Sequence, residues 1–244
     1  MKIWGMTDTG LARSQNQDCY TFGEDEAGGK LYGVICDGMG GAAAGDVASK
    51  TALDAFASNI SKDGPLGFTA KTAEKCIVAA SRASNQAVFD AAMDNPDYEG
   101  MGTTLVCALC VGNLAVVGNV GDSRAYLIDD KGIRQVTRDH SLVSEMMERG
   151  ELSAYQAQRH PSRNVVTRVL GVEPEVCCDT FKLDAKPGQF LLLCSDGLSN
   201  EVSEPEIYYE VYFSEKPENA CKSLVDIANI RGGHDNITVI LIQF

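Results

Sequence analysis

Five aspartates stand at the ends of strand-like runs, and this placement constrains the fold more than any other feature of the chain. The apolar run 31–36 ends in Asp37, and Gly38, Met39, Gly40 and Gly41 follow at once. A carboxylate there lies at the mouth of a strand, and glycine leaves the next peptide groups open to close approach. Taken alone, an Asp-Gly after a strand reads as a hairpin turn. The other four change that reading. Asp18 opens the run 19–22, Asp122 closes 114–121, Asp196 closes 190–195, and Asp235 precedes 237–242. If these strands share one core, their carboxylates gather at one edge of it. Carboxylates packed together repel unless a cation neutralises them. Oxygen donors with no accompanying Cys/His spacing suit magnesium or manganese and not zinc.

The rest of the composition narrows the partners. The 244 residues fit one large domain or two small ones, and 44% are hydrophobic, enough for a sizeable core. The formal net charge of -13 comes with no basic stripe, which argues against nucleic acid and against an anionic membrane surface as partners. The nine cysteines show no metal-ligand spacing. Cys107 and Cys110 form a CxxC inside a strand-like run, where the two side chains face opposite sides. Reduced thiols in a cytoplasm are the expectation. Residues 1–6 have no apolar signal-peptide core, and no stretch approaches the ~18 apolar residues that span a bilayer.

Read in order, the chain predicts strands over 2–9, 18–22 and 30–37, with a turn over 23–29. An alanine-rich helix is predicted over 46–60, broken by Asp63-Gly64-Pro65, and a second over 68–93. The second carries Ala73, Cys76, Ile77, Ala80, Ala83, Ala87 and Ala91 at helical spacing, a packing stripe. Strands follow over 103–111, 114–120, 124–128 and 132–136, with hairpin connections at 112–113 and 129–132. Strands so close together pair antiparallel, because parallel neighbours need longer crossovers. The stretch 138–171 is polar, helix-like over 142–149, and carries Arg138, Arg149, Arg159, Arg163 and Arg168, a locally basic insert fit to face an anion. Strands over 176–183 and 189–194, helices over 204–213 and 217–230, and a strand over 237–244 complete the chain. This order does not alternate as a parallel βαβ sheet does; it fits antiparallel sheets covered by helices, an α+β fold.

Two divalent ions held by shared aspartates lower the pKa of a water and clamp phosphoryl oxygens for in-line displacement. Such a site needs no serine or cysteine nucleophile, but it needs a cation with fork geometry to hold the phosphate. Arg13, five residues before Asp18 on the loop between the first two strands, is the natural candidate. The ordered set Arg13-Ser14-Gln15-Asn16-Gln17-Asp18, Asp37-Gly38-Met39-Gly40-Gly41, Gly102-Thr103-Thr104, Gly121-Asp122-Ser123-Arg124, Ser195-Asp196-Gly197 and Gly233-His234-Asp235-Asn236 resembles the metal-dependent protein phosphatases (PPM, or type 2C) of compact bacterial type.

The resemblance spans nearly the whole chain. It implies one phosphatase domain over 1–244, a four-layer αββα sandwich of two antiparallel sheets flanked by helix pairs, with a flap over about 138–171. It implies two Mn2+ or Mg2+ ions, and a third, weaker one. Asp37 would bridge two ions, Gly38 would ligate one through its carbonyl, and Asp196 and Asp235 would hold the first. Asp18 would lie beside the second, Asp122 with Asp196 would hold the third, and Arg13 would bind substrate phosphate. The implied reaction is hydrolysis of phosphoserine and phosphothreonine in proteins. The implied partners are a bacterial serine/threonine kinase and its substrates, with the phosphatase itself a monomer.

Three positions depart from the family's pattern. Met39 and Ala42 stand where some members carry histidines, so no general acid can be assigned, and His160 is a weak candidate. Gln17 replaces a carboxylate of the animal members. A catalytically silent phosphoprotein-binding module and a phosphatase of small phosphorylated metabolites are the alternative readings. A calcium-binding structural protein is weaker, since the aspartates do not share one loop of EF-hand type.

Overall fold

The computed structural model describes residues 1–24, 29–40, 44–60, 69–157 and 159–244. Eleven strands form two antiparallel sheets among these residues. The first has the order β1 (Lys2–Asp8), β11 (Ile237–Gln243), β10 (Phe190–Cys194), β7 (Arg124–Asp129), β8 (Gly132–Gln135). The second has the order β2 (Asp18–Glu24), β3 (Lys30–Met39), β5 (Leu105–Val111), β6 (Leu114–Val120), β9 (Asp179–Asp184). The short β4 (Gly102–Thr103) pairs with the end of β3.

Side-chain alternation along the strands builds three apolar layers. Leu31 and Ile35 of β3 face Leu191, Leu193, Ile240 and Ile242 of the other sheet. Val34 and Cys36, on the opposite face, pack under α1 (Gly45–Ile60) and α2 (Ala70–Asp94). Leu192, Val239 and Leu241 pack under α6 (Glu204–Tyr212) and α7 (Pro217–Ile230). The order helix pair, sheet, sheet, helix pair is the αββα sandwich expected. Cys107 and Cys110 fall in different layers, as their spacing requires.

Several boundaries differ from expectation for physical reasons. The strand expected over 103–111 breaks at Thr104, whose N–H turns to the Asp37 carbonyl at 2.9 Å. The strand expected over 176–183 starts at Asp179, and residues 196–199 form a one-turn helix, α5. On α2 the buried face in the second half is Ser81, Ser84, Asn85 and Val88, while Ala83, Ala87 and Ala91 are half-buried. Hydroxyls make that face tolerable: Ser84 Oγ donates to Ala52 O at 2.8 Å across the α1–α2 contact. Helix α2 begins at Ala70 with Thr69 as its cap; Phe68 and the expected Asp63-Gly64-Pro65 break lie outside the described residues, as do Gly41 and Ala42.

The 138–171 insert carries α3 (Leu142–Glu148) and the short α4 (Ala154–Ala157). Its far end is pinned to the sandwich by two bonds between Thr103 and Leu170, at 2.8 and 3.1 Å. No helix among the described residues is long and apolar enough to cross a membrane.

Candidate metal and active site

The antiparallel register brings the five aspartates to one end of the sandwich. Asp18 at the start of β2 is the direct partner of Asp37 near the end of β3. Asp122 follows β6, Asp196 follows β10, and Asp235 precedes β11, all at this same end. A cleft of about 440 Å³ is lined by Asp37, Gly38, Asp122, Asp196 and Asp235 together with Arg13. Asp18 does not line it; it lies buried behind the floor, 5% exposed. A larger recess of about 580 Å³ opens beside the cleft, between the flap and α5–α6, but holds only Asp122 and Asp196 of this set. The chemistry therefore belongs to the smaller space.

Polar groups fix the Asp37 backbone and the Asp18, Asp196 and Asp235 carboxylates. The Asp37 N–H donates to Thr104 Oγ1 at 3.1 Å, and its carbonyl accepts from Thr104 N–H at 2.9 Å and Thr103 Oγ1 at 2.8 Å. Asp18 Oδ2 accepts from Ser195 Oγ at 2.8 Å and Thr238 Oγ1 at 2.7 Å. Asp18 Oδ1 is buried with no partner among the described residues. Asp196 Oδ2 accepts from Asn200 Nδ2 at 3.0 Å, and Asp235 Oδ2 accepts from Arg13 Nη2 at 2.8 Å. Asn236 fixes the Arg13 loop: its Oδ1 takes the Gln17 N–H at 2.8 Å, and its Nδ2 donates to Thr9 O and Gln15 O.

Burial and mutual repulsion raise Asp18, Asp37, Asp122 and Asp196. Asp18 and Asp122 are each pushed up to about 7, first by burial and then by Asp196 among the neighbouring charges. Asp196 is pushed up to about 6 by burial and by Asp235. Asp37 is pushed well above the usual carboxylate range by burial, with Asp18, Asp196, Asp122 and Asp235 adding to it. Arg13 holds its proton more tightly because of its bond to Asp235.

This donor set fits divalent ions. It is all oxygen, it carries an excess of negative charge in a desolvated cleft, and it leaves Asp18 Oδ1 unsatisfied. Among the described residues no three acidic, histidine or cysteine side chains already close on one point, since Asp235 leans on Arg13 and Asp196 on Asn200. Gly38 is where backbone comes closest: a Cβ there would overlap the Gly45 carbonyl oxygen. Only glycine keeps this peptide at the cleft.

The structure thus unites Arg13, Asp37, Gly38, Asp122, Asp196 and Asp235 at one cleft and places Asp18 just behind it. His160 lines neither recess; its Nδ1 accepts from Ser162 N–H at 3.2 Å. Met39 lines the cleft in place of a histidine. The supporting residues Thr104, Ser195, Thr238, Asn200 and Asn236 carried no assigned role in the sequence. Their partners lie far off in the chain, as with Ser195 and Asp18, 177 residues apart.

A helix-flanked double sheet with a carboxylate cluster and an arginine at its end defines a metal-dependent protein phosphatase. Comparison with known proteins bears this out. The family described as Protein phosphatase 2C matches residues 12–225. The serine/threonine phosphatase stp of Listeria monocytogenes is 38% identical over 97% of this chain and 93% of its own. The serine/threonine phosphatase Stp1 from Staphylococcus aureus superposes with a TM-score of 0.92 at 34% identity, covering 100% of this chain and 94% of that one. The catalytic domain of the serine/threonine protein phosphatase PstP, solved in complex with 2 manganese ions, gives a TM-score of 0.85 at 34% identity over 98% of this chain and 96% of that one. The chain belongs to the protein phosphatase 2C family.

Proposed function

We propose that residues 1–244 form one domain that hydrolyses phosphoserine and phosphothreonine in proteins, with Asp37, Gly38, Asp196 and Asp235 as the main holders of two Mn2+ or Mg2+ ions. The convergence of these residues with Arg13 on one cleft carries the assignment. Ions bound there supply Lewis acidity to an attacking water and neutralise charge on the phosphoryl oxygens. The chain's own groups do the rest. Arg13 turns its guanidinium from Asp235 toward the substrate phosphate and orients it through paired N–H donors. The Thr103–Thr104 bonds fix the Asp37 backbone and so limit how far its carboxylate must reorganise at the moment of reaction. Asp18, aimed by Ser195 and Thr238, keeps Oδ1 as an unsatisfied acceptor just behind the cleft floor. Asp122 with Asp196 forms a further, weaker cation position.

The partners that suit this cleft are phosphorylated proteins, among them a bacterial serine/threonine kinase and that kinase's substrates. The nine free cysteines fit a reducing cytoplasm. The net charge of -13 opposes self-association, which supports a monomer.

Release of phosphate from a phosphothreonine peptide, measured with manganese, magnesium or chelator, tests the reading. Metal-dependent turnover in the native chain, lost in Asp37→Asn, is expected. Metal binding by calorimetry with no turnover under any ion would instead make the chain a silent binding module.

A further inference from the structure

We propose that His140 is a positioning residue that latches the flap to the Asp122 loop and so sets where the Asp122 carboxylate stands. The inference rests on the reading of Asp122 as a cleft cation ligand. His140 is buried, 6% exposed, at the start of the flap. It engages Gly121 at two points. The Gly121 N–H donates to His140 Nδ1 at 3.0 Å, and the His140 N–H donates to Gly121 O at 2.9 Å.

An imidazole nitrogen that accepts a backbone N–H carries no proton, so the ring is neutral with its proton on Nε2. Burial lowers the His140 pKa and favours that neutral form. Nε2–H then donates to Asp179 Oδ2 at 3.1 Å. Arg168 Nη1, 2.9 Å from Nε2, donates instead to Asp179 Oδ1 at 2.8 Å and Cys177 O at 3.2 Å. The His140 carbonyl accepts from Thr167 N–H at 2.8 Å, so one residue ties both ends of the flap to the loop after β6.

Only glycine fits at position 121. Its φ is +107°, open to glycine, and a Cβ there would meet Thr104 Cγ2 at 2.6 Å. The peptide is therefore held between Thr104, which clamps Asp37, and His140, which closes the flap. Removing the ring leaves a buried N–H without its acceptor, and the cheapest relief is movement of Gly121–Asp122 itself.

Three substitutions separate the contacts. His140→Asn keeps an acceptor where Nδ1 stands. His140→Gln reaches Asp179 but offers Gly121 nothing. His140→Ala removes both. Measurements are Mn2+ titration by calorimetry, amide hydrogen exchange over 119–123, and kinetics on a phosphothreonine peptide across Mn2+ concentrations. In Gln and Ala, the Mn2+ concentration for half-activation should rise about tenfold, the weakest calorimetric binding event should weaken alike, and exchange at Gly121 and Asp122 should quicken. The peptide KM at saturating Mn2+ should stay put, and Asn should return near the native values. The Gln variant keeps the Asp179 contact and so guards against simple misfolding.

Asp122→Asn run alongside separates the two readings. If it weakens Mn2+ binding while His140→Gln changes neither binding nor exchange, the latch is overturned. If Asp122→Asn changes nothing, the ligand reading fails, and with it the proposal. Quickened exchange in His140→Gln would then report only a structural bond.

Discussion

Arg13 Nη2 stands 2.8 Å from Asp235 Oδ2, so the guanidinium on the loop between β1 and β2 already spans to the loop that opens β11. The pair is half open to water, with the two side chains 53% and 33% exposed, and an exposed ion pair adds little stability. Its value is geometric: it keeps Arg13 turned into the cleft. Replacing Arg13 with alanine should lower kcat/KM on a phosphothreonine peptide about 10- to 100-fold, the cost of one charge-assisted pair of hydrogen bonds. Lysine should recover only part of this, because an ammonium lacks the planar fork. Steady-state kinetics on the two variants decide it; native kcat/KM in Arg13→Ala would remove Arg13 from phosphate binding.

Asp37→Asn should pull activity and stability in opposite directions. Asp37 is the carboxylate most burdened by burial and by its four acidic neighbours. Asparagine keeps the shape and removes the repulsion. In chelator the variant should melt about 3 °C or more above the native chain, since about 1 kcal/mol moves Tm by 2–4 °C at this size. Turnover should fall by at least about 100-fold, and added Mn2+ should raise the variant's Tm less than the native one's. Thermal melts with chelator and with Mn2+ give both numbers. A lower Tm for the variant in chelator would show that repulsion is not what raises these carboxylates.

How much of this was legible before the structure depends on how local the signal is. Asp37 and Asp196 announce themselves because an apolar run stops at a carboxylate followed by glycine, all within a few residues. The antiparallel sheets follow from loops too short for crossovers, as between Val111 and Leu114. What escaped notice is held by distant partners. Nothing near Thr104 says that its N–H leaves the β5 ladder for Asp37, and nothing near Thr238 points to Asp18, 220 residues away. The second half of the α2 face departs from the apolar stripe for a related reason. Ser84 and Asn85 are polar and fall outside an apolar stripe, yet Ser84 bonds Ala52 O and Asn85 bonds Gly171 N–H, so polar side chains fill the contact.

The metal-free protein should lose stability as pH rises from about 4 to 7. Asp18 and Asp122 sit at about 7 and Asp196 at about 6 in the folded chain, against roughly 3.9 for an unfolded carboxylate. Between these values the folded state binds more protons than the unfolded one, so unfolding free energy falls with increasing pH. The protection is complete below the unfolded value and gone above the folded ones. Melting in chelator at pH 5 and pH 8 should show a higher Tm at pH 5. Mn2+ should shrink the difference, because a bound cation replaces the protons. A Tm that rises from pH 5 to pH 8 in chelator would contradict the repulsion described.

Gly38→Ala tests whether the cleft backbone tolerates any side chain. A methyl there would overlap Gly45 O and come within 2.8 Å of Gln17 O, both rigid backbone atoms. One of the two segments must shift, at a cost of about 1–3 kcal/mol. Urea unfolding should show that loss, and turnover should fall with it because Asp37 is the adjacent residue. An alanine variant of native stability would mean that the β3–α1 approach yields to a methyl group.

Thr238→Val isolates the support of Asp18 from its charge. Valine keeps the volume and removes one of the two hydroxyls that donate to Asp18 Oδ2, leaving Ser195 Oγ at 2.8 Å. Hydrogen bonds to a carboxylate favour its ionised form, so losing one makes Asp18 harder to ionise. Thr238 also links outward to Thr7 Oγ1 at 2.7 Å, and Asn16 Nδ2 donates to that same Thr7 oxygen at 2.9 Å. The substitution therefore cuts a chain of donors that ends on the carboxylate. The acid limb of the pH–rate profile should move to higher pH. Activity at pH 6 should drop about 3- to 10-fold more than at pH 8, the net worth of about one ordinary hydrogen bond. Profiles that fall in parallel at every pH would assign Thr238 to packing alone, because a lost structural contact has no reason to track the protonation of Asp18.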